Sequence, residues 1–176
     1  MKLKATSILV IMAALLLAVG ACVAETDNTE VSAYAFINER YEALGDFDYW
    51  PLEEKAAFSA WCAEEGIDAG PVYGLPGEDN MTAEEAVEMA KAAIVEKYGV
   101  LPELYEKYNV QIDFLIGVFV KGVYDKDPSP EDPLWGIVFR LKDPDEQFLY
   151  DMHYTAIIDD QLKEVIGLFN QAETPG

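Results

Sequence analysis

The sequence predicts an α+β fold in which a helix-loop-helix packs on a four-stranded antiparallel meander, preceded by a small helical region. Two observations support this prediction. Apolar residues recur at helical spacing in segments over 31–44, 51–61 and 83–98, and at the strand spacing of two from residue 110 onward. The predicted strands also follow one another directly and are joined by short polar turns, which is typical of antiparallel neighbours.

The main helix of the α+β domain is predicted to begin at a capping box. The Thr82 hydroxyl can accept from the amide of Glu85, whose side chain can reach back to the Thr82 amide. Gly99 then stands where glycine commonly ends a helix. Between these signals, mostly small and apolar residues share one side of the helix: Ala83, Ala86, Val87, Ala90, Ala93, Ile94 and either Lys97 or Tyr98. Such a stripe allows close packing on a sheet, and a short second helix is expected over 102–107.

Four strands are predicted after this helical part. Residues 110–124 are apolar at both parities, which favours a central strand covered on both sides. Residues 135–142 and 148–158 alternate between apolar and polar side chains, and 163–169 form a last short strand. In the third strand, His153 is expected on the face opposite to the apolar residues.

Residues 25–80 are predicted to form a polar tether, a helical region and a loop. Helical spacing runs over 31–44 and resumes after Pro51, a residue that suits the first turn of a helix. Residues 67–80 are rich in glycine and proline and are predicted to be loop. They separate this region from the α+β domain at 81–170.

The first 24 residues have the organisation of an export signal. Lys2 and Lys4 precede an uncharged apolar run over 8–19, and small residues follow. The run is shorter than the roughly 20 apolar residues of a membrane-spanning helix. Residues 1–24 are therefore predicted to be a signal peptide, and the remaining chain to be exported.

Two cleavage sites fit the end of this signal. Residues 19–22, Val-Gly-Ala-Cys, resemble the lipobox of bacterial lipoproteins, in which the cysteine becomes the lipidated first residue. Lipidation of Cys22 would anchor the protein at the outer face of the cytoplasmic membrane, because two acyl chains hold a protein stably. Cleavage after Ala24 would release it instead. Cys22 is either lipidated or removed, so Cys62 is the only free cysteine and an intrachain disulfide is excluded.

The charge of the chain limits its partners. The formal net charge is −21. A body this acidic repels phosphate backbones and anionic lipid headgroups, which argues against nucleic acid as a partner and against membrane binding other than by a lipid anchor. A protein with a basic surface, or a divalent cation, is compatible with this charge.

Three pieces of the chain together resemble PepSY-type domains. They are the helix from Thr82 to Gly99, the tryptophan-bearing strand at 133–139, and the closing hairpin from 154 to 166. The resemblance spans residues 81–169, about half of the chain. One position departs from it: the family usually has glycine where Lys163 stands. A left-handed lysine costs about 1–2 kcal/mol, so either this turn is rebuilt or the chain is a divergent relative.

The resemblance implies a function of binding rather than catalysis. PepSY-type domains occur in propeptides of thermolysin-type peptidases and in many membrane-tethered proteins, where they are thought to act as inhibitory or chaperoning modules. The expected function is therefore an extracytoplasmic, membrane-tethered regulatory module that modulates a peptidase or another envelope protein. No cofactor and no catalytic residue are expected.

Candidate site residues are few. A binding surface is predicted to include Trp135, Asp151, His153 and Thr155. Aspartates at 125 and 127 match the start of an EF-hand loop, but Pro130 and Gly136 occupy the positions of its required glycine and glutamate. Weak calcium ligands would be drawn from Asp125, Asp127, Glu131 and Asp132.

Two alternative functions remain open at this stage. One is a carboxylate-based hydrolase, which would need two acidic side chains converging in a cleft. The other is a weak calcium-binding or ligand-binding envelope protein. His153 is the only histidine, which excludes sites that need two histidines.

Overall fold

The computed structural model describes residues 29–68, 70–117, 132–142 and 153–170. The chain divides into two compact units, Met1–Glu39 and Arg40–Gly176. Helix α1, Thr29–Leu44, begins in the first unit and ends in the second. Among the residues described, no helix combines the length and the apolar character needed to cross a bilayer.

The second unit contains a five-stranded antiparallel sheet in which the strands lie in the order of the chain. Its strands are β1 (Val72–Tyr73), β2 (Tyr108–Ile116), β3 (Leu134–Leu141), β4 (His153–Asp159) and β5 (Glu164–Asn170). This confirms the α+β fold with an antiparallel meander. The predicted number of four strands is wrong, because β1 arises inside the segment that was predicted to be loop.

Strand β1 is short and depends on β2. Val72 lies opposite Ile116 and Tyr73 opposite Leu115, and the Gly74 amide donates to the Phe114 carbonyl at 2.8 Å. On the side of β2 that faces away from β3, only the C-terminal end of the strand, residues 114–116, is therefore paired with β1. The prediction of a central strand covered on both sides holds for part of the described stretch of 110–124: Asp113 and Phe114, which lie on opposite faces, are buried, whereas Val110 and the next two residues are only half-buried.

Helix α3, Ala83–Tyr98, packs on one face of the sheet. Its predicted capping box is present, and Gly99 ends it in a left-handed conformation with φ 68°. Ala86, Ala90 and Ile94 are completely buried against the apolar face of the meander. The small-residue stripe thus sets the close approach that the sequence predicts.

Helix α2, Leu52–Glu65, is fastened to the sheet by a buried lysine. The Lys55 ammonium donates to the carbonyls of Asp48 at 2.8 Å and Ile112 at 3.0 Å, and to Asp113 Oδ1 at 2.5 Å. All three of its donors are used. The other Asp113 oxygen accepts from Gln111 Nε2 at 2.7 Å, so the buried pair is saturated with hydrogen bonds.

The turn between β4 and β5 is joined to the start of α3 through Asp160. This carboxylate is buried, and it accepts from the Met81 amide at 2.9 Å, Asn80 Nδ2 at 2.6 Å and Trp135 Nε1 at 2.8 Å. Burial opposes ionisation, but these hydrogen bonds and the charge of Lys163 hold the pKa of Asp160 below its ordinary value.

Lys163, in the turn between β4 and β5, adopts a left-handed backbone conformation. Its φ is 54°, and its Nζ lies 3.4 Å from Asp160 Oδ2. Lysine therefore occupies a strained backbone position in this turn.

Candidate functional site

An open groove runs beside α3 on the helix-bearing face of the sheet. It encloses about 540 Å³. The lining comes from α3, from the 3₁₀ turn Pro102–Lys107 and from two strands: Glu88, Lys91, Ala92, Val95, Pro102, Tyr105, Glu106, Val110 and Phe139. A smaller cavity of about 220 Å³, lined by Tyr49–Leu52, Ala83, Val110 and Ile112, shares Val110 with it.

The groove exists because a single helix does not cover the whole width of this face of the sheet. Helix α3 packs mainly against β3, β4 and β5, and leaves the same face of β2 partly uncovered. Val110 and Ile112, which point to this face, are consequently only half-buried. On the helix side, Val95 is 37% exposed although it is apolar. The uncovered strip between α3 and β2 is therefore apolar at its centre.

Polar groups of the groove are held in defined positions. The Tyr105 hydroxyl donates to the Lys91 carbonyl at 3.1 Å, and the Lys91 ammonium lies 2.7 Å from Glu88 Oε1 and 5.8 Å from the Tyr105 ring centre. Burial, followed by the neighbouring Tyr108 and Glu88, raises the pKa of Tyr105 to about 12. Tyr105 is thus a neutral donor at physiological pH, and Lys91 is paired within the wall.

The outer edge of β2 borders the same strip. The carbonyls of Ile112 and Phe114 point away from β3, since they accept from Lys55 and from the Gly74 amide. Backbone groups alternate in direction along an antiparallel strand, so the N–H and C=O of Val110 also point outward. Within the described ranges, β1 does not reach Val110 and no hydrogen bond to its outer edge is present.

Trp135 does not contribute to an exposed surface. It is completely buried, packs 4.8 Å from the Phe114 ring centre and donates to Asp160. This corrects the prediction that placed its ring on a binding surface: the residue belongs to the core. Thr155 and His153 are half-buried on the sheet face opposite to α3, as their alternation predicts, and Asp151 lies outside the described residues.

The candidate calcium ligands are not brought together in the described part of the chain. Asp125, Asp127 and Glu131 lie outside it, and Asp132 is half-buried just before β3. No group of three or more His, Cys, Asp or Glu residues among those described is arranged to hold a metal ion. Cys22 also lies outside the described residues, whereas Cys62 is buried, with a pKa raised by its burial.

Sequence patterns do not reveal the groove. Its residues come from α3, the 3₁₀ turn, β2 and β3, and neither their spacing nor their type forms a motif. The one local signal is Val95, an apolar residue on the outer side of an amphipathic helix. An exposed apolar residue of this kind indicates a groove only when it is known that the sheet beneath the helix is wider than the helix.

No family model matches the chain, and no curated protein or solved structure is significantly similar to it.

Proposed function

We propose that this chain is an exported binding module, tethered through a lipidated Cys22, that recognises a protein partner of the cell envelope and has no catalysis of its own. The observation that carries the proposal is the groove between α3 and β2. It is open, apolar at its centre and bordered by carboxylates, as expected of a surface that accepts part of another protein.

The buried polar groups favour binding over catalysis. Four charged side chains of the described residues are buried. Lys55, Asp113 and Asp160 take part in hydrogen bonds that join one element of the fold to another, and the fourth, Asp159, accepts from the Leu162 amide within its own turn. A catalytic group has to meet its substrate, whereas Lys55, Asp113 and Asp160 hold the framework on which the groove is built.

The partner class follows from the PepSY resemblance. The resemblance begins with the helix that forms one wall of the groove, and modules of this kind are thought to inhibit or chaperone peptidases. A peptidase, or another protein at the outer face of the cytoplasmic membrane, is the partner that the proposal expects.

The proposal can be tested with one pair of variants in the host. Val95→Lys places a charge in the groove, and Val72→Lys places the same charge on β1, where Val72 is 52% exposed and outside the groove. The expected result is that a crosslinked envelope partner is lost with Val95→Lys and kept with Val72→Lys. If the partner is a peptidase, its activity should change on adding wild-type protein and stay unchanged on adding Val95→Lys.

Mass spectrometry of the N-terminus tests the tether separately. A diacylglyceryl group on Cys22 is expected. A mature chain beginning at Glu25 would show instead that the protein is released.

The crosslinking experiment has its own contradicting outcome. Equal capture of the same partner by Val95→Lys and Val72→Lys would remove the groove from the proposed function.

A further inference from the structure

We infer that the groove takes an extended, basic segment of its partner, which pairs with the outer edge of β2 at Val110 and places alternate apolar side chains in the groove. This inference rests on the proposed function and specifies what the partner presents.

The backbone part of the recognition comes from Val110. Its outward N–H and C=O are the pair of groups that an added strand engages. Toward the C-terminal end of β2, the next outward carbonyl is that of Ile112, which already accepts a hydrogen bond from Lys55. Toward the N-terminal end, the strand is preceded by the 3₁₀ turn Pro102–Lys107. The structure therefore limits strand pairing to a short bridge centred on one residue.

The side-chain part comes from the apolar strip. From Glu88 to Val95 the helix wall of the groove is about 10 Å long at 1.5 Å per residue, which is the length of roughly three extended residues. Val110, Phe139 and Val95 provide apolar contacts along this strip. Because side chains alternate in an extended segment, every second one can enter the groove while the others face its rim.

The rim selects the charge of the partner. Glu88 and Glu106 both border the groove and are exposed to solvent. The one lysine in the lining, Lys91, forms an ion pair with Glu88 at 2.7 Å, so the charge that remains in the lining is that of Glu106, on a chain whose formal net charge is −21. A segment that alternates lysine or arginine with apolar residues is therefore complementary to the groove, and an acidic segment is repelled.

The inference is tested with blocked peptides and the full-length protein in detergent. A short peptide of alternating lysine and valine is compared with one of alternating glutamate and valine by isothermal titration calorimetry. The lysine peptide is expected to bind at least about tenfold more tightly. It is also expected to slow hydrogen exchange at the Val110 amide, which a purely electrostatic association would not do.

Two double variants distinguish the contribution of the carboxylates at the rim of the groove to peptide affinity from the contribution of the negative charge of the whole chain. Glu88→Gln with Glu106→Gln should weaken binding of the lysine peptide by roughly three- to tenfold. Glu96→Gln with Glu103→Gln removes the same charge from exposed positions of α3 and of the 3₁₀ turn that do not line the groove. A loss as large with this control pair would overturn the inference.

Val110→Pro removes the outward N–H and should reduce binding by about tenfold, since proline is tolerated at strand edges. If this variant does not fold, the exchange rate of the Val110 amide in the wild-type protein decides the same question. Unchanged exchange with bound peptide, or equal affinity for both peptides, would overturn strand pairing. If the envelope partner is still lost with Val95→Lys in that case, the proposed function stands and only this inference fails.

Discussion

Lys55 of α2 and Asp113 of β2, 58 residues apart in the chain, form a buried ion pair whose nitrogen and oxygen lie 2.5 Å from each other. The lysine side chain is completely buried and the aspartate side chain is 10% exposed. Burial of two charges is costly unless every donor and acceptor is satisfied, and here the surrounding carbonyls and Gln111 complete the arrangement. The pair fixes the helical region to the edge of the sheet.

Removal of one member of this pair should be strongly destabilising. Lys55→Met leaves the Asp113 carboxylate buried without its counter-ion, and the free energy of unfolding should fall by about 3–5 kcal/mol. Urea denaturation followed by circular dichroism measures this change. Lys91→Met, which breaks the more exposed pair with Glu88, is the control and should cost no more than about 1 kcal/mol.

The double variant Lys55→Met with Asp113→Leu tests the cause. It should recover most of the loss, because no unpaired charge then remains in the interior. If the double variant is as unstable as Lys55→Met alone, the loss of stability comes from poor packing of the methionine side chain and not from the unpaired charge.

Asp160 should make stability depend on acid pH. Its pKa is lower in the folded protein than its ordinary value of 3.8, so its ionised form is stabilised by folding. This contribution is present above the unfolded pKa and is lost as the pH falls through the folded pKa. Asp160→Asn should therefore be less stable at neutral pH, by about 1–3 kcal/mol.

Unfolding curves of wild type and Asp160→Asn over a series of pH values provide the measurement. The difference between the two proteins should shrink toward low pH, where the wild-type carboxyl is also neutral. A difference that stays constant down to the most acidic condition would show that the hydrogen-bond geometry matters and the charge does not.

Lys163→Gly should stabilise the protein. The left-handed backbone at φ 54° costs a residue with a Cβ about 1–2 kcal/mol that glycine avoids. The half-exposed contact with Asp160 that is lost contributes less, and glycine also gains freedom in the unfolded chain. The expected net gain is roughly 0.5–1 kcal/mol, measured as a higher melting temperature.

Lys163→Val is the matching control for this prediction. It removes the same charge but keeps a branched side chain in the left-handed conformation, so it should lower the melting temperature. Similar effects of glycine and valine would contradict an origin in backbone strain.

Two tyrosines should ionise late and make stability depend on alkaline pH. Burial first, and then neighbouring groups, raise the pKa values of Tyr73 and Tyr105 to about 12 from an ordinary 10.0. The neutral phenols are thus favoured by folding. Their contribution is full below pH 10 and is lost as the pH rises toward 12.

Ultraviolet titration of phenolate in the folded protein checks this behaviour. Tyr105→Phe should remove one late-titrating group and make the alkaline loss of stability smaller. A titration that shows only tyrosines of ordinary pKa would mean that Tyr105 and Tyr73 are open to solvent.

Local patterns predict much of this fold and little of the site. The capping box at Thr82, the alanine stripe of α3 and the alternation of β4 are properties of neighbouring residues, and the structure has them as expected. Strand β1 could not be predicted, since two residues form a strand here only because β2 lies beside them. The burial of Lys55 likewise depends on an aspartate far along the chain.

The groove is a still less local property. Val110 has the same sequence signal whether the helix above it covers β2 or stops short of it. Its half-burial is decided by the position of α3 over β3, β4 and β5, which no spacing of residues specifies. For Trp135 the sequence predicts a binding residue and the structure shows a core residue. Its ring is buried because Asp160 and Phe114 lie against it.

The two edges of the sheet differ in what an incoming strand would have to displace. At β5, the Leu168 carbonyl accepts from Lys97 Nζ at 2.9 Å and from the Tyr98 hydroxyl at 3.2 Å, so pairing there begins with the loss of two hydrogen bonds. At Val110 no such exchange is needed. If a strand pairs at Val110, the difference between the two edges would favour a single pairing over the repeated edge-to-edge pairing that builds a fibre.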